Sequence, residues 1–175
     1  MARRPVRGVA LPRELAGLAR FHEAQAAPSA GFDAARRELR AGRKTGHWIW
    51  WVFPQLRGLG SSHHSTYYGI AGPEEAVEYL RDDVLGERLV EAAAAVRGHL
   101  TGPRPLDLVT LMGGMVDARK LVSCMTLFRH VAHRLGGVTA PPRFAVMAGH
   151  ADAILAAAAA QGHPACRFTE ESIRR

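Results

Sequence analysis

The chain of 175 residues is the length of one domain, long enough to bury roughly two thirds of its unfolded surface without covalent staples. Its two cysteines, Cys124 and Cys166, lie far apart and outside any CxxC or Cys/His finger spacing, which argues against a disulfide framework and a structural zinc site. A net charge of +7 permits a polyanionic partner, but only Lys44 and Lys120 among 23 basic residues are lysines; the dispersed arginines read as compositional bias, and nucleic-acid binding is not expected.

Residues 1–12 read as a basic, flexible tail whose apolar run ends at Pro12, too short for a secretory signal. Residues 13–175 read as a single helical domain. No run approaches the roughly 18 apolar residues of a membrane span. The expected setting is therefore cytoplasmic, with no membrane partner.

Leu15, Leu18 and Phe21 among charged residues predict a first helix over 13–26, closed by Pro28. Phe32, Ala35 and Leu39 predict a second, stopped by Gly42. All three tryptophans then fall in one four-residue window, Trp48-Ile49-Trp50-Trp51, followed by Val52-Phe53-Pro54. This stretch fits one or two helical turns or a buried extended run, and it organises a core, lines a pocket, or both. Residues 56–72, rich in Gly, Ser, His and Tyr, read as an irregular loop.

Pro73-Glu74-Glu75 opens the next helix with proline and acids in its first turn. Leu85, Leu89, Ala92, Val96 and Leu100 recur through a long helix that stops at Gly102-Pro103. A short segment carries Leu108, Leu111 and Met112. From Asp117, the residues Leu121, Met125, Phe128, Ala132 and Leu135 trace a helical stripe stopped by Gly136-Gly137. Two last segments cover 144–148 and 151–161. No strand-period alternation persists, so the expected fold is all-α: one compact multi-helix domain, an orthogonal helix array with a short irregular aromatic and Gly/Ser segment.

The segment His47-Trp48-Ile49-Trp50-Trp51-Val52-Phe53-Pro54-Gln55-Leu56-Arg57-Gly58-Leu59-Gly60-Ser61-Ser62, followed by Tyr68-Gly69-Ile70, resembles the signature of domain of unknown function 1810. Gly42-Arg43-Lys44, Glu75-Ala76, Tyr79-Leu80 and Leu85-Gly86-x-Arg88-Leu89 also match that pattern. So does Asp117-x-x-Lys120-Leu121-x-Ser123-x-Met125-Thr126-Leu127-Phe128. The resemblance begins near Leu18–Gln25, covers most of the chain, and implies a compact helical fold without supplying a reaction. Some members of the family carry a calpastatin label, which the apolar patterning here does not suit. The chain departs from the pattern at Ser123-Cys124, where two serines are usual, and at Ala165, where an aspartate is typical.

Both lysines fall in the two signature segments. If those segments meet, Lys44, Gln55, Ser62, Lys120, Ser123 and Thr126 would converge against a wall of Trp48 and Trp50, a set suited to a small planar or phosphorylated, anionic ligand. His47 and Tyr68 are the candidates for moving protons. Pure packing by the tryptophans and a plain surface ion pair between Asp117 and Lys120 are the competing readings. No cofactor is expected, since the phosphate-loop and dinucleotide spacings are absent. No metal is expected either: His63 and His64 are adjacent and point different ways, and His130/His133 have helical spacing without a visible third ligand. The sequence therefore supports an uncharacterised domain that binds, and in one version transforms, a small phosphate-bearing or nucleotide-derived metabolite. The alternatives are a non-catalytic ligand- or protein-binding module and, below it, nonspecific polyanion binding. Oligomeric state is left open.

Overall fold

The computed structural model describes residues 17–135, 137 and 139–174. The basic tail expected over 1–12, and the start of the first helix expected at 13, lie outside the described residues. Among the described residues ten α-helices follow in order: α1 Ala19–Gln25, α2 Phe32–Arg40, α3 Ile49–Val52, α4 His63–Tyr67, α5 Pro73–Arg81, α6 Asp83–Thr101, α7 Leu108–Leu111, α8 Met115–His130, α9 Arg143–Ala160 and α10 Arg167–Ser172. A π-helical stretch, Val131–Leu135, extends α8. Among the described residues there is no strand, only an isolated bridge between Leu56 and Ile70. The fold is all-α.

α9 is the centre of the packing, lying against α6 and α8, while α2 and α5 cover α6 and α10 covers α8. The stripe read in the sequence faces inward as its spacing requires, with Leu121, Met125 and Phe128 fully buried on α8 and Leu85, Leu89 and Val96 on α6. α6 is capped by Asp82, whose carboxylate accepts from Val84 N at 3.0 Å and Leu85 N at 2.8 Å.

Four local expectations are revised. α1 starts only at Ala19 because Gly17 sits at φ +97°, outside the helical region. The loop at 56–72 contains a helical turn, α4, set by Ser62 at its N-cap. The segments expected at 144–148 and 151–161 form one helix, with Gly149 inside it. That merged helix is, by length and composition alone, long and apolar enough to cross a membrane, at mean hydropathy 1.2 over 18 residues. Its Phe144, Met147, Ala151, Ile154 and Ala158 are buried in the protein core, as in the core helix of a globular domain. Finally, α10 was not anticipated: it is short and polar, and only Thr169 is buried on it.

The turn between α7 and α8 places the site. Gly113 has φ +71°, and a Cβ there would stand 2.4 Å from Lys44 O. Lys44 N also donates to Leu111 O at 2.8 Å. The backbone of the first signature segment is thus docked on the turn that starts the helix of the second.

Candidate functional site

The three tryptophans have three different environments. Trp48 is fully buried, and its indole N–H donates to Glu38 Oε2 at 2.8 Å. Glu38 also accepts from Thr45 N at 2.7 Å and Gly46 N at 2.8 Å. Burial opposes ionisation of Glu38, but these three donors outweigh it and hold the carboxyl below its ordinary range. Trp51 is also buried, donating to Ala30 O at 3.0 Å. Trp50 is half-buried, and its indole nitrogen has no hydrogen-bond partner among the described residues. Trp48 and Trp51 are core, and Trp50 lines a cleft.

Lys44 and Lys120 meet at one carboxylate. Lys44 Nζ stands 2.5 Å from Asp117 Oδ2, and Lys120 Nζ donates to Asp117 Oδ1 at 3.0 Å. Each ammonium also lies over an indole face, Lys44 at 4.9 Å from the Trp48 centroid and Lys120 at 4.2 Å from that of Trp50. Burial disfavours the Asp117 anion, yet the two lysines overcome that and keep its carboxyl below the usual range. The two partners differ in access. Lys44 is buried, with its ammonium also donating to Gly46 O, so its charge is matched within the protein. Lys120 faces a cleft.

That cleft has a volume of about 840 Å³ and lies between the loop before α4, the first turns of α8 and the turn after α9. Trp50, Gln55, Ser62 and Lys120, all singled out by the sequence, line it. Gln55 is 5% exposed, and its Oε1 is buried without a partner among the described residues. Ser62 has a structural duty as well: its Oγ accepts from Ser65 N at 3.1 Å and donates to Ser65 Oγ at 2.9 Å. His64, on α4, stacks on Trp50 at 4.8 Å between centroids.

The remaining predicted residues stand elsewhere. Lys44 and Trp48 sit behind the cleft as its support. Ser123, fully buried, shares a hydrogen bond with Thr169 Oγ1 at 3.1 Å. Thr126 Oγ1 donates to Val122 O at 2.7 Å and accepts from Cys166 N at 3.0 Å. These two hydroxyls fasten the segment 166–169 to α8 and so fix one edge of the cleft. His47 is exposed and makes no side-chain hydrogen bond among the described residues. Tyr68 packs against Trp51 at 5.1 Å and Phe21 at 6.1 Å, and burial raises its phenol above its ordinary value. Neither lines the cleft.

Arg119, Val116, His163 and Cys166 complete the cleft and were not marked by the sequence. Arg119 is exposed and forms no ion pair among the described residues. His163 arrives through the turn after α9, where His163 N donates to Ala158 O at 2.9 Å. Gln161 clips that turn to the stretch before α7, accepting from Leu108 N at 2.7 Å and donating to Leu106 O at 3.1 Å. No carboxylate lines the cleft among the described residues; Arg119 and Lys120 bring cationic groups to its wall, with Lys120 also paired to Asp117. No group of three metal-ligating side chains occurs among the described residues.

Comparison with known proteins bears on the fold and the family. The chain is similar to the crystal structure of a conserved hypothetical protein from Mycobacterium tuberculosis, with 37% identity, 90% of this chain and 96% of that one covered, and a TM-score of 0.67. No curated protein matches it. A family described as proteins of unknown function, DUF1810, matches residues 15–140, which hold both signature segments but not the turn at 162–166 that closes the cleft. By that match over most of its length, the chain belongs to the DUF1810 family.

Proposed function

We propose that the protein binds a small planar metabolite bearing an anionic group, of the phosphorylated or nucleotide-derived class, in the cleft between Trp50 and Lys120. The observation that carries this reading is Gln55. A buried amide oxygen with no protein partner costs about 1–3 kcal/mol, and folds rarely keep such a group unless something else completes its hydrogen bonds. A ligand edge with a donor and an acceptor would satisfy Gln55 and the unpaired Trp50 N–H. The Trp50 face suits a flat ring, and Arg119 with Lys120 suits anionic oxygens.

The reading is one of binding first. Of the histidines, His163 is the one on the cleft, so any proton transfer there falls to it rather than to His47 or Tyr68. A cytoplasmic setting belongs to the same proposal and suits two free thiols. A protein-docking reading draws on Val116, which lines the cleft at 65% exposure, with Met115 beside it at 41%.

The test is a thermal-shift titration with AMP, adenosine and inorganic phosphate, reading tryptophan emission in parallel. A ligand at 100 times its dissociation constant stabilises by about 2.7 kcal/mol. AMP should raise Tm and shift emission in the wild type, with adenosine and phosphate each weaker, and Lys120→Gln should lower the response to AMP more than that to adenosine. No response to any of the three, with an apolar peptide stabilising instead, would favour the docking reading.

A further inference from the structure

The chain's two thiols are opposites. Cys124 is fully buried on α8, and burial pushes its thiol well above the ordinary value, so it is inert to reagents in water. Cys166 is partly exposed and lines the cleft. Its backbone is pinned by the hydrogen bond from Cys166 N to Thr126 Oγ1, so the thiol is held at the cleft edge rather than on a free tail. The same cleft is lined by Arg119, by Lys120 (paired to Asp117) and by no carboxylate among the described residues, together with Gln55, 5% exposed and with its Oε1 unpartnered.

An open cationic cleft raises the local concentration of anionic reagents over cationic ones at a thiol on its wall. We propose that Cys166 is a site of reversible thiol–disulfide exchange with anionic small-molecule disulfides, and that the resulting adduct closes the cleft. The Cys166 thiol gives its proton to solvent, and its sulfur attacks one sulfur of the incoming disulfide. The incoming S–S bond breaks, a mixed disulfide forms, and the second half leaves as a thiolate with the electron pair. A free thiol reverses the step by attacking the adduct. The closure half rests on the cleft being the ligand site; the exchange half does not.

The experiment uses the full chain, folded, with glutathione disulfide as the anionic probe and cystamine as the cationic one, followed by intact mass and peptide mapping. One adduct per chain is expected, on Cys166 and not on Cys124, removed by dithiothreitol and absent in Cys166→Ser. The rate with glutathione disulfide relative to cystamine, each normalised to free cysteine, should favour the anion by about tenfold and fall with added salt. No adduct on the folded protein, equal labelling of Cys124, or no charge preference overturns the exchange. The glutathionylated protein is then titrated with AMP. Loss of the wild-type thermal shift supports closure, and a shift that survives the adduct overturns it. If AMP leaves even the unmodified wild type unshifted, the ligand reading and the closure fail together while the exchange stands on its own rates.

Discussion

Gln25 and Gln55 are buried to nearly the same degree, 3% and 5% exposed, and their surroundings could hardly differ more. Gln25 Nε2 donates to Trp51 O at 2.7 Å and Tyr79 Oη at 2.9 Å, while Tyr79 Oη donates to Trp51 O at 3.0 Å. Arg88 reaches Gln25 Oε1 at 3.4 Å. The Gln25 amide and the Tyr79 hydroxyl thus both have protein partners, and the knot ties α1, α3, α5 and α6 together. Gln55 has no such knot and faces a cleft. Burial of a polar side chain is therefore structural or functional according to what completes its hydrogen bonds. Lys44 and Lys120 differ in access instead: both meet Asp117, but Lys44 is buried while Lys120 fronts the cleft.

The comparison is broken hardest at Asp117, which serves both lysines. Asp117→Asn leaves the buried Lys44 ammonium without its countercharge, and we expect a loss of about 3 kcal/mol in urea unfolding at neutral pH. The pH dependence gives the sign independently. The folded Asp117 carboxyl is held below its unfolded value near 4, so its contribution is present above that value and lost as pH falls through the folded one. Asn removes that contribution at every pH, so the gap between wild type and variant should shrink on acidification below about 4. An unchanged gap would mean that Asp117 does not carry the two lysines.

A smaller effect is expected within the satisfied knot. Gln25→Leu strips one donor from Trp51 O and leaves Arg88 without its Gln25 acceptor, a loss of about 2 kcal/mol read by urea unfolding. AMP binding should be unchanged, since Gln25 does not line the cleft. A variant that kept its stability and lost its ligand response would reverse the roles assigned to the two glutamines.

Much of this organisation is legible in the chain itself, for identifiable reasons. The stripe through Leu121, Met125 and Phe128 repeats at helical spacing, so burial follows from periodicity alone. Lys44 and Lys120 stand out because lysine is otherwise missing, and they do meet at Asp117. Their division of labour is not legible, because it depends on Gly46 O and Trp48 surrounding Lys44 in space. Likewise, nothing local tells Trp50 from its neighbours; only the tertiary positions of Glu38 and Ala30 satisfy Trp48 and Trp51 and leave Trp50 unpaired. Arg119, His163 and Cys166 went unmarked because the cleft joins segments more than forty residues apart, and the clip at Gln161 that brings the last two into place has no sequence period. Ser123 and Thr126 look like ligand hydroxyls by spacing, yet α10 covers them, and that short polar helix gives almost no hydrophobic signal.

The smallest expected change in stability is the most informative. In Gln55→Leu the buried atom without a partner is replaced by an apolar group of similar size. The desolvation cost of an unmade hydrogen bond then disappears, and the free protein should be within about 1 kcal/mol of wild type or slightly more stable. The same change deletes the donor–acceptor edge offered to a ligand, so affinity for AMP should fall about tenfold, the consequence of about 1.4 kcal/mol. A purely structural Gln55 predicts the opposite pair of outcomes, a destabilised protein with unaltered binding. Melting and titration of this one variant thus separate a side chain kept for the fold from one kept against the fold's own interest, which is the distinction that Gln25 and Gln55 embody.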